Sequence, residues 1–203
     1  MRSRDHASRQ RQSGEDGTAN SNVATVSISV TPVNDAPTIS VLTGSGSPSA
    51  CLDDTSGRIT LKLSDMDTNL SDLKTSAVSS SDTRLVPKSN VAFGGTGGTP
   101  TATISTVPGR TGTSTVTITV SDGQASSRMP VTVKAGGNGN DTLGGTNGAD
   151  LLLGQNGDDR LGGAGASDVL CGANGNDRLT GGAGTDAATD YSTIEGDART
   201  NIP

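Results

Sequence analysis

Aromatic residues are almost missing from this sequence: one Phe (Phe93), one Tyr (Tyr191) and no Trp in 203 positions. That argues against a large conventional core and against an aromatic-lined catalytic pocket. Histidine is as scarce, with His6 alone in a polar N-terminal arm. Ser–His or Cys–His nucleophilic catalysis has no base to work with, and a zinc site has no His/Cys cluster. No enzyme activity is therefore expected. No run approaches 18 apolar residues, so no membrane-spanning helix is expected, and residues 1–17 lack the apolar stretch of a secretory signal. The two cysteines, Cys51 and Cys171, stand 120 positions apart, imply no disulfide framework, and read as small buried or half-buried thiols.

Glycine, by contrast, is abundant and periodic. Residues 136–189 are six consecutive nonapeptides without insertion or deletion. Each begins with glycine (Gly136, Gly145, Gly154, Gly163, Gly172, Gly181) and carries aspartate at position six (Asp141, Asp150, Asp159, Asp168, Asp177, Asp186). Position eight is Leu143, Leu152, Leu161, Leu170, Leu179 and then Ala188; position four is Gly139, Gly148, Gly157, Ala166, Gly175 and Gly184. Glycines at positions one and four allow a tight six-residue turn. The last three residues suffice for a minimal strand with the leucine inward. Two turns and two strands make an 18-residue coil, so the array predicts about three coils. Stacked coils bring successive aspartates to one gap, where like charges repel unless a cation intervenes. Hard carboxylate and carbonyl oxygens suit Ca²⁺ better than Mg²⁺, which demands a stricter octahedron. Five leucines are too thin an interior to order 54 glycine-rich residues, which predicts an array that folds as it binds metal.

The charge agrees. Ten acids against Arg160, Arg178 and Arg199 give residues 136–203 a net charge of −7, leaving +1 for the rest of a chain of net −6. Such a face repels nucleic acid and favours a cation.

On these residues the array resembles the RTX (haemolysin-type calcium-binding) repeat family, whose units form a parallel β-roll. The resemblance implies Ca²⁺ between turns two repeats apart, held by the position-six aspartates and by backbone carbonyls of the turns that Gly136, Gly139, Gly145, Gly148, Gly154, Gly157, Gly163, Gly172 and Gly175 shape. It pairs Asp141 with Asp159, Asp159 with Asp177, Asp150 with Asp168, and Asp168 with Asp186. This chain departs from the pattern at position two, where only Gly137 and Gly182 are glycine, and at Ala166 and Ala188.

Upstream, residues 1–20 read as a disordered arm. Val26, Ile28 and Val30 alternate with Thr25, Ser27, Ser29 and Thr31, the pattern of a half-buried strand. The phrase Thr31-Pro32-Val33-Asn34-Asp35-Ala36-Pro37 resembles the junction between cadherin-like or Ig-like bacterial repeats. The resemblance makes residues 21–36 the last strand and junction of a truncated upstream repeat, and the chain a piece of a longer one. Residues 37–135 predict one antiparallel sandwich of that cadherin-like/Ig-like kind. Its strands are expected at Thr38–Leu42, Arg58–Leu63, Ala77 and Val78, Thr101–Thr106, Thr113–Val120 and Met129–Lys134. Gly94–Gly98 reads as a plain loop, with no helix to complete a phosphate cradle. Asp65 and Asp67, with Asn34 and Asp35, are similar to calcium-ligating loops between cadherin-like domains, or are ordinary turn residues. In the segment 190–203, Tyr191 and Ile194 are expected to cap the roll and Asp190 to finish its last site.

The expected fold is thus all-β, a sandwich (37–135) followed by a parallel β-roll (136–189). The expected function is an extracellular Ca²⁺-binding module, with no nucleic-acid partner. The alternatives are a piece of a surface adhesin with a cell-surface or matrix partner, and the accessory tail of a secreted hydrolase.

Overall fold

The computed structural model describes residues 26–29, 33–42, 50–190 and 196–202. The arm 1–20, Tyr191 and Ile194 lie outside them. The chain divides into two compact units, Met1–Asn34 and Asp35–Pro203. In the first, residues 26–29 form no strand, and Val26 and Ile28 are 80% and 84% exposed. Over residues 26–29 the half-buried strand expected here is not present, and the rest of that stretch lies outside the described residues.

In the second unit the strands follow in chain order: β1 (Thr38–Leu42), β2 (Ala50–Asp53), β3 (Ser56–Ser64), β4 (Lys74–Ser80), β5 (Val91–Gly94), β6 (Thr101–Ser105), β7 (Gly112–Ser121) and β8 (Ser126–Ala135). Then come β9 (Thr142–Gly144), β10 (Asp150–Asn156), β11 (Arg160–Ala164), β12 (Val169–Asn174), β13 (Arg178–Gly182) and β14 (Ala198–Thr200). Alternation drives the longer ones. In β7, Ser114, Val116, Ile118 and Val120 are buried while the intervening threonines are only half-buried. β8 buries Val131, Val133 and Ala135 in the same way.

One antiparallel sheet has the order β1-β3-β6-β5, with β2 also beside β3. A second runs β12-β10-β8-β7-β4. The two share one core, in which Ile59, Leu61 and Ile104 of the first meet Ile118, Val131 and Val133 of the second. β2 and β5 are not among the expected strands. Both are four residues long, too short to show a period.

The third sheet, β14-β13-β11-β9, is parallel and closes a C-terminal solenoid of about four turns. Its rungs stack at the 18-residue interval: Leu143 opposite Leu161, Leu161 opposite Leu179, and Leu152 opposite Leu170. Three coils were expected; the surplus comes from strands outside the repeats. β8 pairs in parallel with β10, Thr132 opposite Asp150 and Lys134 opposite Leu152, so the last strand of the two-sheet body is also the first rung of the solenoid. β14 adds a rung at the far end, shifted by a two-residue insertion, with Arg178 opposite Ala198.

The second sheet consequently has a stretch buried on both faces. Leu152 and Leu170 point into the solenoid with Leu161, Leu179 and Ala188. Leu151, Leu153, Val169 and Cys171 point the other way, into the core of the two-sheet body. Leu151 lies against Gly57 of β3, where a Cβ would collide with it. Cys171 and Cys51 form a disulfide, with Cα atoms 5.6 Å apart, that ties β12 to β2. The free thiols expected from the spacing are thus replaced by a covalent clamp. Residues 120 apart in sequence meet because the solenoid folds back over the edge of the first sheet.

Candidate metal centre

Each repeat's aspartate immediately precedes or opens its strand, so all six stack in two columns along the solenoid edges. Within a column the backbone N–H of one aspartate donates to Oδ1 of the next. Asp141 donates to Asp159 (2.7 Å), Asp159 to Asp177 (2.8 Å), Asp150 to Asp168 (2.9 Å) and Asp168 to Asp186 (3.0 Å). The four pairings implied by the family resemblance are therefore the four nearest neighbours. Amide N–H groups, rather than facing carboxylates, make the direct link.

The other oxygen of each carboxylate divides the repeats into two kinds. Asp141 Oδ2 accepts from Gly137 N–H (2.7 Å), and Asp150 Oδ2 accepts from Thr146 N–H (2.6 Å). In Asp159, Asp168, Asp177 and Asp186, Oδ2 is buried without a partner. All four residues are at most 2% exposed. An enclosed carboxylate oxygen with no donor is a strong destabilisation. Burial therefore pushes the Asp168 carboxyl up to about 8, with the Asp150 and Asp186 carboxylates adding to it, and the Asp177 carboxyl up to about 6. Asp150, Asp159 and Asp186 shift upward as well, burial again the main cause.

The orphan oxygens sit in cradles lined with backbone. A Cβ added to Gly154 would stand 2.7 Å from the Gly172 carbonyl oxygen, and one added to Gly163 would stand 2.5 Å from that of Gly181. In both cases it would also strike the repeat's own aspartate. Only glycine leaves room for a carboxylate oxygen and a next-rung carbonyl oxygen side by side. Position four is as tight: a Cβ on Gly157 would meet the Gly139 carbonyl carbon at 2.6 Å, and Gly175 is stacked likewise on Gly157. The first members of the stacks are looser: a Cβ on Gly139 would meet nothing within 4 Å, and one on Gly148 would only touch Thr146 Oγ1 at 3.7 Å. Gly136 and Gly145 lie against Asp141 and Asp150, and Gly172 against Asp177. The departures from glycine are accommodated under strain. Gln155, Ala164, Ala166 and Ala173 take left-handed backbone angles, with φ between 65° and 81°. Ala188 is buried in the solenoid core.

One column opens to solvent through a groove of about 330 Å³, lined by Asn140, Asp158, Asp159, Arg160, Asn176, Asp177, Arg178, Gly196 and Ala198. Beside the repeats, Asn138, Asn156 and Asn174 form an amide ladder (3.1 and 3.2 Å) that ends on Asp54 Oδ2 of the first sheet's β2–β3 turn.

The last ladder position is not filled by Asp190. Asp197 Oδ1 accepts from Asp177 N–H at 2.8 Å, two residues later than strict periodicity allows, and Asp197 is 8% exposed. Asp190 instead accepts from Ala173 N–H and lies beside the disulfide. Cys51, Cys171 and Asp190 are close enough to share a metal, but the disulfide leaves no thiolate to donate. Asp65 Oδ1 accepts from the N–H groups of Asp67 and Thr68, and Asp67 Oδ2 from that of Asp35. These backbone bonds hold the Asp65 carboxyl below its usual range, as in an ordinary turn.

Together these features define an all-β protein with a C-terminal parallel β-solenoid whose edges carry stacked, buried aspartates. No protein-family model, curated protein or solved structure matches this chain. Among the described residues no helix is long and apolar enough to cross a membrane.

Proposed function

We propose that this chain is an extracellular calcium-binding module of the RTX β-roll type, and that its roll orders as Ca²⁺ binds. One observation carries the reading. Each of the four aspartate pairs leaves one buried Oδ2 without a donor, on its C-terminal member. Each such oxygen lies where a position-one glycine opens a space, and at three of the four, Gly154, Gly163 and Gly181, a next-rung carbonyl oxygen shares that space. A divalent cation with oxygen preference satisfies carboxylate and carbonyl together and removes the cost of burying an anion. Ca²⁺ fits better than Mg²⁺ because the donors are protein oxygens in a flexible turn rather than waters in an octahedron.

The aspartates at the four orphan positions are the ligands, with Asp141 and Asp150 completing the first turn of each column. The glycines are positioning residues whose carbonyls and missing Cβ atoms shape the turn. The two-sheet body is read as an Ig/cadherin-like module that carries the roll, and the whole as a binding module without catalysis. The disulfide supports an exported protein, since such bonds persist in oxidising compartments.

Isothermal calorimetry and far-ultraviolet circular dichroism of the chain during Ca²⁺ titration test this. The expected result is saturable uptake near four ions, a gain in β signal, and little response to Mg²⁺. No heat and no spectral change at millimolar Ca²⁺ would refute it.

A further inference from the structure

The two columns of aspartates sit in different surroundings. The rungs that join the second sheet are β10, β12 and residues 187–189, here called the inner rungs. The rungs of the third sheet, β9, β11, β13 and β14, are the outer ones. Each inner strand buries three consecutive side chains on two faces: Leu151, Leu152 and Leu153 in β10, and Val169, Leu170 and Cys171 in β12. β11 and β13 bury one leucine each, Leu161 and Leu179, and the flanking Arg160 and Arg178 are exposed. The inner rungs are also tied to the two-sheet body at several points. These include the β8–β10 ladder, the Cys51–Cys171 disulfide, the hydrogen bond from Cys51 N–H to Thr189 Oγ1 (2.8 Å), and that from Asn174 Nδ2 to Asp54 Oδ2 (3.4 Å). Between that body and the outer strand β9, the Lys134 ammonium donates to the Gly144 carbonyl. The solvent-open groove, too, lies on the outer column, at Asp159 and Asp177.

Resting on the calcium reading above, we propose that metal orders only the outer half of the roll. The inner rungs are a permanent extension of the second sheet, folded with or without cation. The outer rungs close onto them when Ca²⁺ fills the Asp141–Asp159–Asp177 column. Parallel strands tolerate connections of about a dozen residues, so β10 and β12 stay paired when the segment between them is loose. The sandwich thus keeps half of the binding turns in register. The metal-driven transition involves β9, β11, β13 and β14 rather than all 54 repeat residues.

Amide hydrogen exchange followed by NMR on the full, oxidised chain, metal-free and at saturating Ca²⁺, tests this. The reporters are Arg160, Arg178 and Ala198 N–H for the outer rungs, which donate to the carbonyls of Asp141, Asp159 and Asp177. Leu170 and Ala187 N–H report on the inner rungs, donating to the carbonyls of Ala187 and Asp168. The expected result is loss of protection at the outer reporters without metal, regained with Ca²⁺, while the inner reporters stay protected in both states. Loss at both sets, restored by Ca²⁺, overturns this inference and leaves the calcium reading standing. No effect of Ca²⁺ on any reporter overturns both.

Discussion

Replacing Gly163 with alanine isolates the role of the empty space at position one. Its backbone angle is unexceptional, so the change tests contact alone. The new Cβ would stand 2.5 Å from the Gly181 carbonyl oxygen and 3.0 Å from Asp168 Cγ. Ordinary van der Waals separation requires roughly 0.7–0.9 Å of movement, against a rung spacing of about 4.8 Å. The obstacle on one side is backbone, which cannot swing away. Overpacking of this kind costs about 1–3 kcal/mol. If the cost falls on the metal-bound turn, Ca²⁺ affinity at the Asp150–Asp168–Asp186 column drops about 5- to 150-fold, at 1.4 kcal/mol per tenfold. Gly162→Ala is the control, since nothing lies within 4 Å of its added Cβ. That variant is expected to stay within about 0.5 kcal/mol of the parent. Calorimetric titration of the two variants in parallel decides. Equal affinities would refute the claim that position one is glycine because a carboxylate and a carbonyl share its space.

Four further outcomes follow from the same geometry. Replacing Cys51 and Cys171 with alanine opens a loop of 120 residues, which the chain-entropy model values at about 4.9 kcal/mol; a fall in Tm of about 10–20 °C is expected, and a change under about 3 °C would count against the clamp. In metal-free protein burial pushes the inner-rung Asp168 carboxyl up to about 8, above the 3.8 of an unfolded aspartate. The native state then holds more protons between those values, so Tm should fall as pH rises from 5 to 8; a rise would contradict it. Asp53, Asp65 and Asp82 shift downward and are fully ionised across that window. Above about pH 8, where the Asp168 carboxyl is ionised, Asp168→Asn removes a buried charge, so it should there raise the metal-free Tm while lowering Ca²⁺ stoichiometry, both readable on one sample. Ala166→Gly relieves a left-handed alanine (φ 65°), and a net gain of about 0.5–1 kcal/mol in urea unfolding is expected after the looser unfolded chain is allowed for.

The solenoid was legible because its determinants are local: a glycine wherever a Cβ would hit the next rung, an aspartate before each strand, a leucine inside. Its attachment to the sandwich was harder to see, although a signal existed. Positions seven and nine read Leu151/Leu153 and Val169/Cys171 in the second and fourth repeats, but Thr142/Gly144, Arg160/Gly162 and Arg178/Thr180 in the odd ones. That 18-residue alternation means one side of the roll is covered, and Cys171 belongs to it. A reading confined to the nine-residue period misses it. β8 as a rung was hidden because Thr132 stands at the position that would carry aspartate. Asp197 was hidden because the insertion before β14 moves it two residues out of phase. The disulfide depends on tertiary packing and could not be read from spacing.

The shared sheet has a mechanical consequence. Tension entering at β1 and leaving near β14 meets no flexible hinge between sandwich and solenoid. It passes through the β8–β10 ladder, where parallel hydrogen bonds are loaded together, and through a covalent sulfur bridge that cannot slide. Under force the outer coils should pay out first, as slack, while the clamped strands keep the solenoid's inner rungs and the two-sheet body moving together.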